Sequence, residues 1–270
     1  MSSRPPVGVG RTPVYRLLGA ILRPFLVVVT RPRWSGEEHL RRSGGYVVAA
    51  NHMSNIDPLT TAQFLYVRGR VPKIMAKDSL WRIPVFGWFL RRTGMIPVHR
   101  NTAGAADSLV SARGALRAGE CVLVFPEGTL TKDPELWPMA AKSGVARLAL
   151  GERVPVVPVA HWGAQDVLPQ HGRPRLRLRK PVTVRAGEPV DLSDLYDLPV
   201  DAATLGTATR RVMDAVTTLL EEIRGQQAPA EYDPRRQERV RQRGTGQPRI
   251  VADAPSSTPA EKTELSEEDA

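Results

Sequence analysis

Cysteine is almost missing from this chain of 270 residues. Cys121 stands alone, which excludes an intramolecular disulfide framework and a cysteine-built metal cluster. Lysine is scarce as well: six of the 38 basic residues are lysine and the rest are arginine. No apolar run reaches the roughly 18 uninterrupted residues of a conventional membrane span. No internal repeat is evident, and no recognised nucleic-acid-binding motif accompanies the formal net charge of +10. What is present is a globular composition, with 41% apolar and 24% charged residues. The length suits one large α/β domain or two small ones. The positive balance implies anionic partners: nucleic acid, acidic lipid head groups or phosphorylated substrates.

The N-terminal stretch from Thr12 to Val29 is strongly apolar, but Arg16 and Arg23 interrupt it and Pro24 is expected to break or kink it. A signal peptide would carry its charges first and a small-residue cleavage site after its apolar core. Here arginines lie inside the stretch and Thr30-Arg31-Pro32-Arg33-Trp34 follows. Two readings remain at this level. One is a pair of short amphipathic helices lying in a membrane interface over residues 1–34, with Trp34 at the boundary. The other is a helix capping the domain core.

From Tyr46 to Arg224 the pattern alternates between short apolar strands and helices, the mark of an α/β domain. Strands are expected at 46–50, 73–76, 95–98, 121–125, 154–160 and 175–184. The strand at 154–160 carries two prolines, so it is expected either to sit near a sheet edge or to end early. Helices are expected at 59–67, 83–91, 103–118, 141–150 (ended by Gly151) and 202–224. The expected fold class is a single α/β domain, residues 35–224, with a mixed, mostly parallel central sheet flanked by helices. After Gly225 the chain becomes charge-segregated, with arginines first and carboxylates last, so residues 225–270 are expected to be a disordered tail.

Four segments are chemically suggestive. Asn51-His52-Met53-Ser54-Asn55-Ile56-Asp57-Pro58 follows the first strand directly. Asp57 there can bond one ring nitrogen of His52, fix its tautomer and leave the other nitrogen to take a proton. That is the His–Asp half of a catalytic triad without its serine, and a substrate hydroxyl can supply what is missing. Equally, Asp57 can cap the next helix while His52 makes a structural bond. Phe125-Pro126-Glu127-Gly128-Thr129 follows the central strand, where backbone N–H groups can face an anion. Gly94 to Arg100 ends in a guanidinium suited to a phosphate. Val156-Val157-Pro158-Val159 reads as core or as the wall of an acyl pocket.

Taken together, the order and spacing of these four blocks resemble the glycerolipid acyltransferase family that includes the 1-acyl-glycerol-3-phosphate acyltransferases. The blocks are N-H-x4-D, G-x-I-x-x-x-R, F-P-E-G-T and a V-P-V-like strand, and the match covers roughly 46–160. The resemblance implies His52 as general base and Asp57 as its orienting partner. It implies Arg100, Glu127, Gly128 and Thr129 as acceptor-binding residues around a glycerol phosphate. It also implies an enzyme of phospholipid biosynthesis that moves a fatty acyl group from acyl-CoA or acyl carrier protein to lysophosphatidic acid. No cofactor and no metal are implied. The expected partners are a lysophospholipid, the thioester donor and an anionic membrane surface, with no nucleic acid; the expected location is the cytoplasmic face of the cell membrane, held peripherally.

Arginine often follows F-P-E-G-T in relatives, whereas this chain has Leu130, which leaves Lys142, Lys73 and Lys77 as candidate cations. An aromatic-rich segment with Trp81, Phe86, Trp88 and Phe89 is a candidate acyl groove or core. Alternatives are another lysophospholipid or glycolipid acceptor, a non-catalytic anionic-lipid-binding protein, or a cysteine hydrolase using Cys121. The last is disfavoured because Cys121 falls within a buried strand rather than on a turn.

Overall fold

The computed structural model describes residues 12–99, 105–175 and 179–229. Seven strands form one sheet: β1 (Thr30–Ser35), β2 (Tyr46–Ala50), β3 (Pro72–Lys77), β4 (Ile96–Val98), β5 (Cys121–Val124), β6 (Val156–Trp162) and β7 (Lys180–Ala186). Seven helices join or flank them: α1 (Pro13–Val29), α2 (Asp57–Val67), α3 (Pro84–Arg92), α4 (Ala105–Arg117), α5 (Gly144–Glu152), α6 (Ala164–Val167) and α7 (Ala202–Arg224). The sheet order is β1-β7-β6-β2-β5-β3-β4. Every pairing is parallel except β6 with β7. This is the mixed, mostly parallel α/β sheet that the sequence pattern predicts.

The centre of the sheet is apolar on both faces, as strands covered on both sides require. Every residue of β2 and β5 is buried. One face packs Tyr46, Val48, Leu123, Val157 and Val184 against Phe64 and Leu65 of α2. The other packs Val47, Val122 and Val156 against Leu116 of α4, Leu148 of α5 and Val212 and Val216 of α7. Helix α7 starts with Asp201 accepting the Thr204 N–H at 2.9 Å and stops at Gly225 in the left-handed region.

Several sequence expectations are corrected. The N-terminal pair of helices is one continuous helix, α1. Pro24 lies on its exposed side, as does Ala20, whose carbonyl loses the usual hydrogen bond at a position open to solvent. Residues 30–35 are a strand paired with β7, so the boundary at residue 34 falls inside the central sheet. Trp34 is correspondingly part of the domain, its ring 5.9 Å from that of Phe64. Strand β6 is interior rather than near an edge. Pro158 is tolerated because its missing donor faces β7, where the ladder begins only at Val159; the Pro158 carbonyl still accepts the Gly187 N–H at 2.9 Å. Helix α5 runs past Gly151 and is capped by Arg153 at φ 48°. The last strand starts at Lys180 instead of residue 175. The expected tail from residue 230 onward lies outside the described residues.

Candidate active site

Because β2, β5 and β6 are neighbouring and mutually parallel, their carboxyl ends open on one edge of the sheet. Residues that follow strands at such an edge face a common crevice. The segment after β2 brings His52, the segment after β5 brings Glu127, and the end of β6 brings His161.

His52 Nδ1 lies 2.9 Å from Asp57 Oδ2. The same oxygen accepts the backbone N–H groups of Met53 (2.7 Å) and Ser54 (2.6 Å). Asp57 therefore does not cap α2, which carries no side-chain cap; its carboxylate turns back to knit the preceding loop around itself. Its side chain is fully buried, while 14% of the His52 side chain is exposed. Against a carboxylate, Nδ1 is the donor, which leaves Nε2 as the basic nitrogen. The Phe125 ring stacks on the imidazole at 4.3 Å between centroids. The Thr131 N–H donates to the His52 carbonyl at 2.7 Å, so the two loops hold each other.

Glu127 is the tie between them. Its Oε1 accepts the His52 N–H at 2.8 Å and its Oε2 the Met139 N–H at 3.2 Å. Burial pushes the Glu127 carboxyl up to about 8; the two N–H donors oppose this and the Asp57 charge adds to it. A carboxyl whose value is raised on folding binds its proton more tightly in the native state. Its contribution to stability is complete below the ordinary value near 4.5 and is lost as pH rises through about 8. Glu127→Gln keeps an acceptor for one of the two N–H groups and is expected to cost about 1–3 kcal/mol at pH 5. Denaturant unfolding from pH 5 to 9 should show that gap narrowing as the wild-type carboxyl is forced to ionise; a gap that widens contradicts the assignment.

Gly128 follows at φ +72°, and its N–H closes the turn on the Phe125 carbonyl at 2.9 Å. A Cβ on Gly128 would lie 3.2 Å from Lys142 Cε and 3.5 Å from its Nζ, so the lysine stem lies directly over the turn. The Lys142 N–H anchors this return by donating to the Pro126 carbonyl at 2.9 Å. Gly128 and Thr129 are half-buried at the mouth of the loop, as is Leu130. Of the other candidate cations, Lys73 is buried, 3.3 Å from Glu120 Oε1 and 3.0 Å from the Thr93 carbonyl, and so serves the fold. Lys77 is exposed at the end of β3. Arg100 lies outside the described residues.

The aromatic segment divides: Trp81 packs against the core cluster of Tyr15, Val71, Leu90 and Met95, and Phe89 is half-buried. Phe86 and Trp88 are 43% and 41% exposed on α3. Helix α1 adds an exposed stripe of Leu17, Ile21, Phe25 and Val28. Cys121 is buried, and burial pushes its thiol up to about 12, which removes it as a nucleophile. A separate cleft of about 500 Å³ lies between α7 and the segment 137–143, with Met139, Arg147 and Arg210 in its wall; neither His52 nor Asp57 lines it. The residue that sequence reasoning missed is His161. The available signal was a histidine closing an otherwise apolar buried strand, opposite the Asn51 that precedes His52.

Residues 31–162 match the sequence profile of the Acyltransferase family. The chain is 32% identical over 144 residues to the chloroplastic 1-acyl-sn-glycerol-3-phosphate acyltransferase BAT2 of Brassica napus, covering 50% of this chain and 40% of that protein. It is 27% identical over 189 residues to the 1-acyl-sn-glycerol-3-phosphate acyltransferase of Bacillus subtilis, covering 69% of this chain and 87% of that one. The crystal structure of the 1-acyl-sn-glycerophosphate (LPA) acyltransferase PlsC from Thermotoga maritima aligns with a TM-score of 0.60 at 24% identity, over 80% of this chain and 81% of that one. That last likeness shows a shared fold. The chain spans less than half the length of the Brassica relative.

Proposed function

The chain belongs to the Acyltransferase family, and on that premise we propose that it moves a fatty acyl group from a thioester donor to the free hydroxyl of 1-acyl-glycerol-3-phosphate, giving phosphatidic acid. The observation that carries this reading is the His52–Asp57 pair at 2.9 Å, at the carboxyl edge of the sheet, with Nε2 free of any described partner. Nε2 takes the acceptor hydroxyl's proton, and the oxygen attacks the thioester carbonyl of acyl-CoA or acyl carrier protein. The tetrahedral intermediate expels the thiolate, which recovers the proton from His52. No protein nucleophile is needed, since the attacking oxygen belongs to the substrate.

Arg100, Glu127, Gly128 and Thr129 are assigned to the acceptor side. Glu127 does its part indirectly, by fixing the loop, because both of its oxygens are taken. Lys142 supplies the cation that Leu130 does not: its ammonium lies over Gly128 and meets no carboxylate among the described residues. A phosphate held there keeps the glycerol hydroxyl close to His52. Lys142→Ala is expected to raise KM for the lysophosphatidate about tenfold or more with kcat little changed, and Lys142→Arg to restore it. An unchanged KM removes Lys142 from the phosphate site.

The exposed apolar residues of α1 and α3, with Arg16, Arg23, Arg91 and Arg92 on the same two helices, support peripheral attachment to an anionic membrane surface. No described helix is long and apolar enough to cross a membrane. The deciding experiment is acyl transfer by the purified chain with a panel of lyso-acceptors and both donor types. Phosphatidate formation with lysophosphatidate preferred supports the reading. Preference for another lysolipid or a glycolipid replaces the acceptor. Binding to anionic vesicles with no transfer replaces the activity with the non-catalytic alternative.

A further inference from the structure

The carboxylate of Asp57 is used unevenly. Three donors converge on Oδ2, while Oδ1 is fully buried and has no hydrogen-bond partner. The atom facing it is His161 Nδ1, at 3.6 Å, which is also buried and unpartnered. The His161 ring is held on its other side, with Nε2 2.5 Å from the Asn51 carbonyl. A peptide carbonyl only accepts, so Nε2 carries a proton. Asn51 also grips the His161 backbone, accepting its N–H at 3.0 Å and donating to its carbonyl at 3.2 Å, so that residue 161 is held from both its ring and its main chain. If Nδ1 were bare, a lone pair would face a buried carboxylate oxygen, with both atoms unsatisfied. One proton between them removes both defects.

We propose that His161 is a positioning residue that carries a proton on Nδ1 toward Asp57, so that the carboxylate behind His52 is balanced from its far side. The proton sits on Nδ1 and faces Oδ1 across 3.6 Å as an ion pair, and no other bond changes. The site is then a row of three groups, His52–Asp57–His161, with the Phe125 ring stacked on the first imidazole and 6.5 Å edge-on from the second. The titratable groups around the pair are His52, on the loop after β2, and Glu127, on the loop after β5. Burial is the largest influence on His161 and pushes its imidazole down; Asp57 opposes this and His52 adds to it. An isolated imidazolium is therefore disfavoured, and the facing Asp57 charge is what holds the Nδ1 proton. The consequence for catalysis is that His52 does not face a full, uncompensated buried charge, which would hold its proton and delay its action as a base.

This rests on the function proposed above only in its kinetic arm. The first measurement is nitrogen-15 spectroscopy of the full chain with labelled histidine, near neutral pH. The chain has five histidines, and the His161 signals are identified by their loss in His161→Gln. Both ring nitrogens of His161 are expected in the protonated class, with a proton on Nδ1 protected from exchange; a bare Nδ1 overturns the proposal whatever the activity. The second is the pH profile of kcat/KM. The glutamine amide of this variant offers Oδ1 a neutral N–H and no exchangeable charge, so the acid limb of a folded His161→Gln enzyme should move up by roughly one pH unit. An acid limb that stays in place also overturns the proposal. A wild-type chain without acyl transfer would fail the proposed function and leave the spectroscopic result to decide this one.

Discussion

Replacing His52 with alanine is expected to lower kcat by roughly three orders of magnitude. The fold should survive. The lost side chain is near the surface of the site, and its partner Asp57 keeps two of its three donors on Oδ2. The backbone of residue 52 also remains tied, by its N–H to Glu127 and by its carbonyl to Thr131. The measurement is acyl transfer from a labelled thioester alongside thermal unfolding. Activity retained within tenfold in a folded variant refutes the base assignment, because nothing else described around Oδ2 of Asp57 is basic.

Asp57→Ala is expected to be the most damaging single change to both activity and stability. It strips the acceptor from the buried Met53 and Ser54 N–H groups and frees the His52 ring. Leaving buried donors unpaired costs about 1–3 kcal/mol each, so a loss of about 3–5 kcal/mol is expected. Asp57→Asn separates the two roles. Its amide oxygen can still accept from the loop, and its amide N–H would face His161 Nδ1, so most of the stability should return. Its charge does not return, so kcat should remain about two to three orders of magnitude down. Chemical denaturation of the pair, read against acyl transfer, checks this; an Asn variant with near-normal turnover removes the carboxylate from the mechanism.

Most of the fold is legible in local sequence chemistry. Strands β2 and β5 are short, wholly apolar and bounded by polar loops, which identifies buried parallel strands. The placement of Asp57 five positions after His52 left two readings open, helix cap or base partner. Only the backbone path settled the geometry, because the turn at Ser54 directs the carboxylate backwards. Strand β6 was misplaced because the effect of a proline depends on which side of the strand its nitrogen faces, a property of the pairing partners. Strand β1 looked like the end of a surface helix because Arg31, Pro32 and Arg33 have no strand pattern of their own; pairing with β7 imposes it. His161 was invisible for a related reason. Its meaning comes from Asn51, 110 positions away in the chain and adjacent in the sheet.

Helix α1 ends at Val29 and strand β1 begins at Thr30, with no residue between them. The joint is stiffened on both sides: Thr30 Oγ1 donates to the Leu26 carbonyl at 2.6 Å, and the Arg179 N–H donates to the Val28 carbonyl at 3.2 Å. Farther up, the Tyr15 and Tyr66 rings stack at 5.6 Å. The helix read as the docking element is thus no tether but an arm welded to the sheet. Under the membrane attachment proposed above, such an arm would set the tilt at which the chain meets the bilayer, and with it the height of the imidazole above the lipid plane. Acceptors would then be sorted partly by how far their hydroxyl stands out from the leaflet.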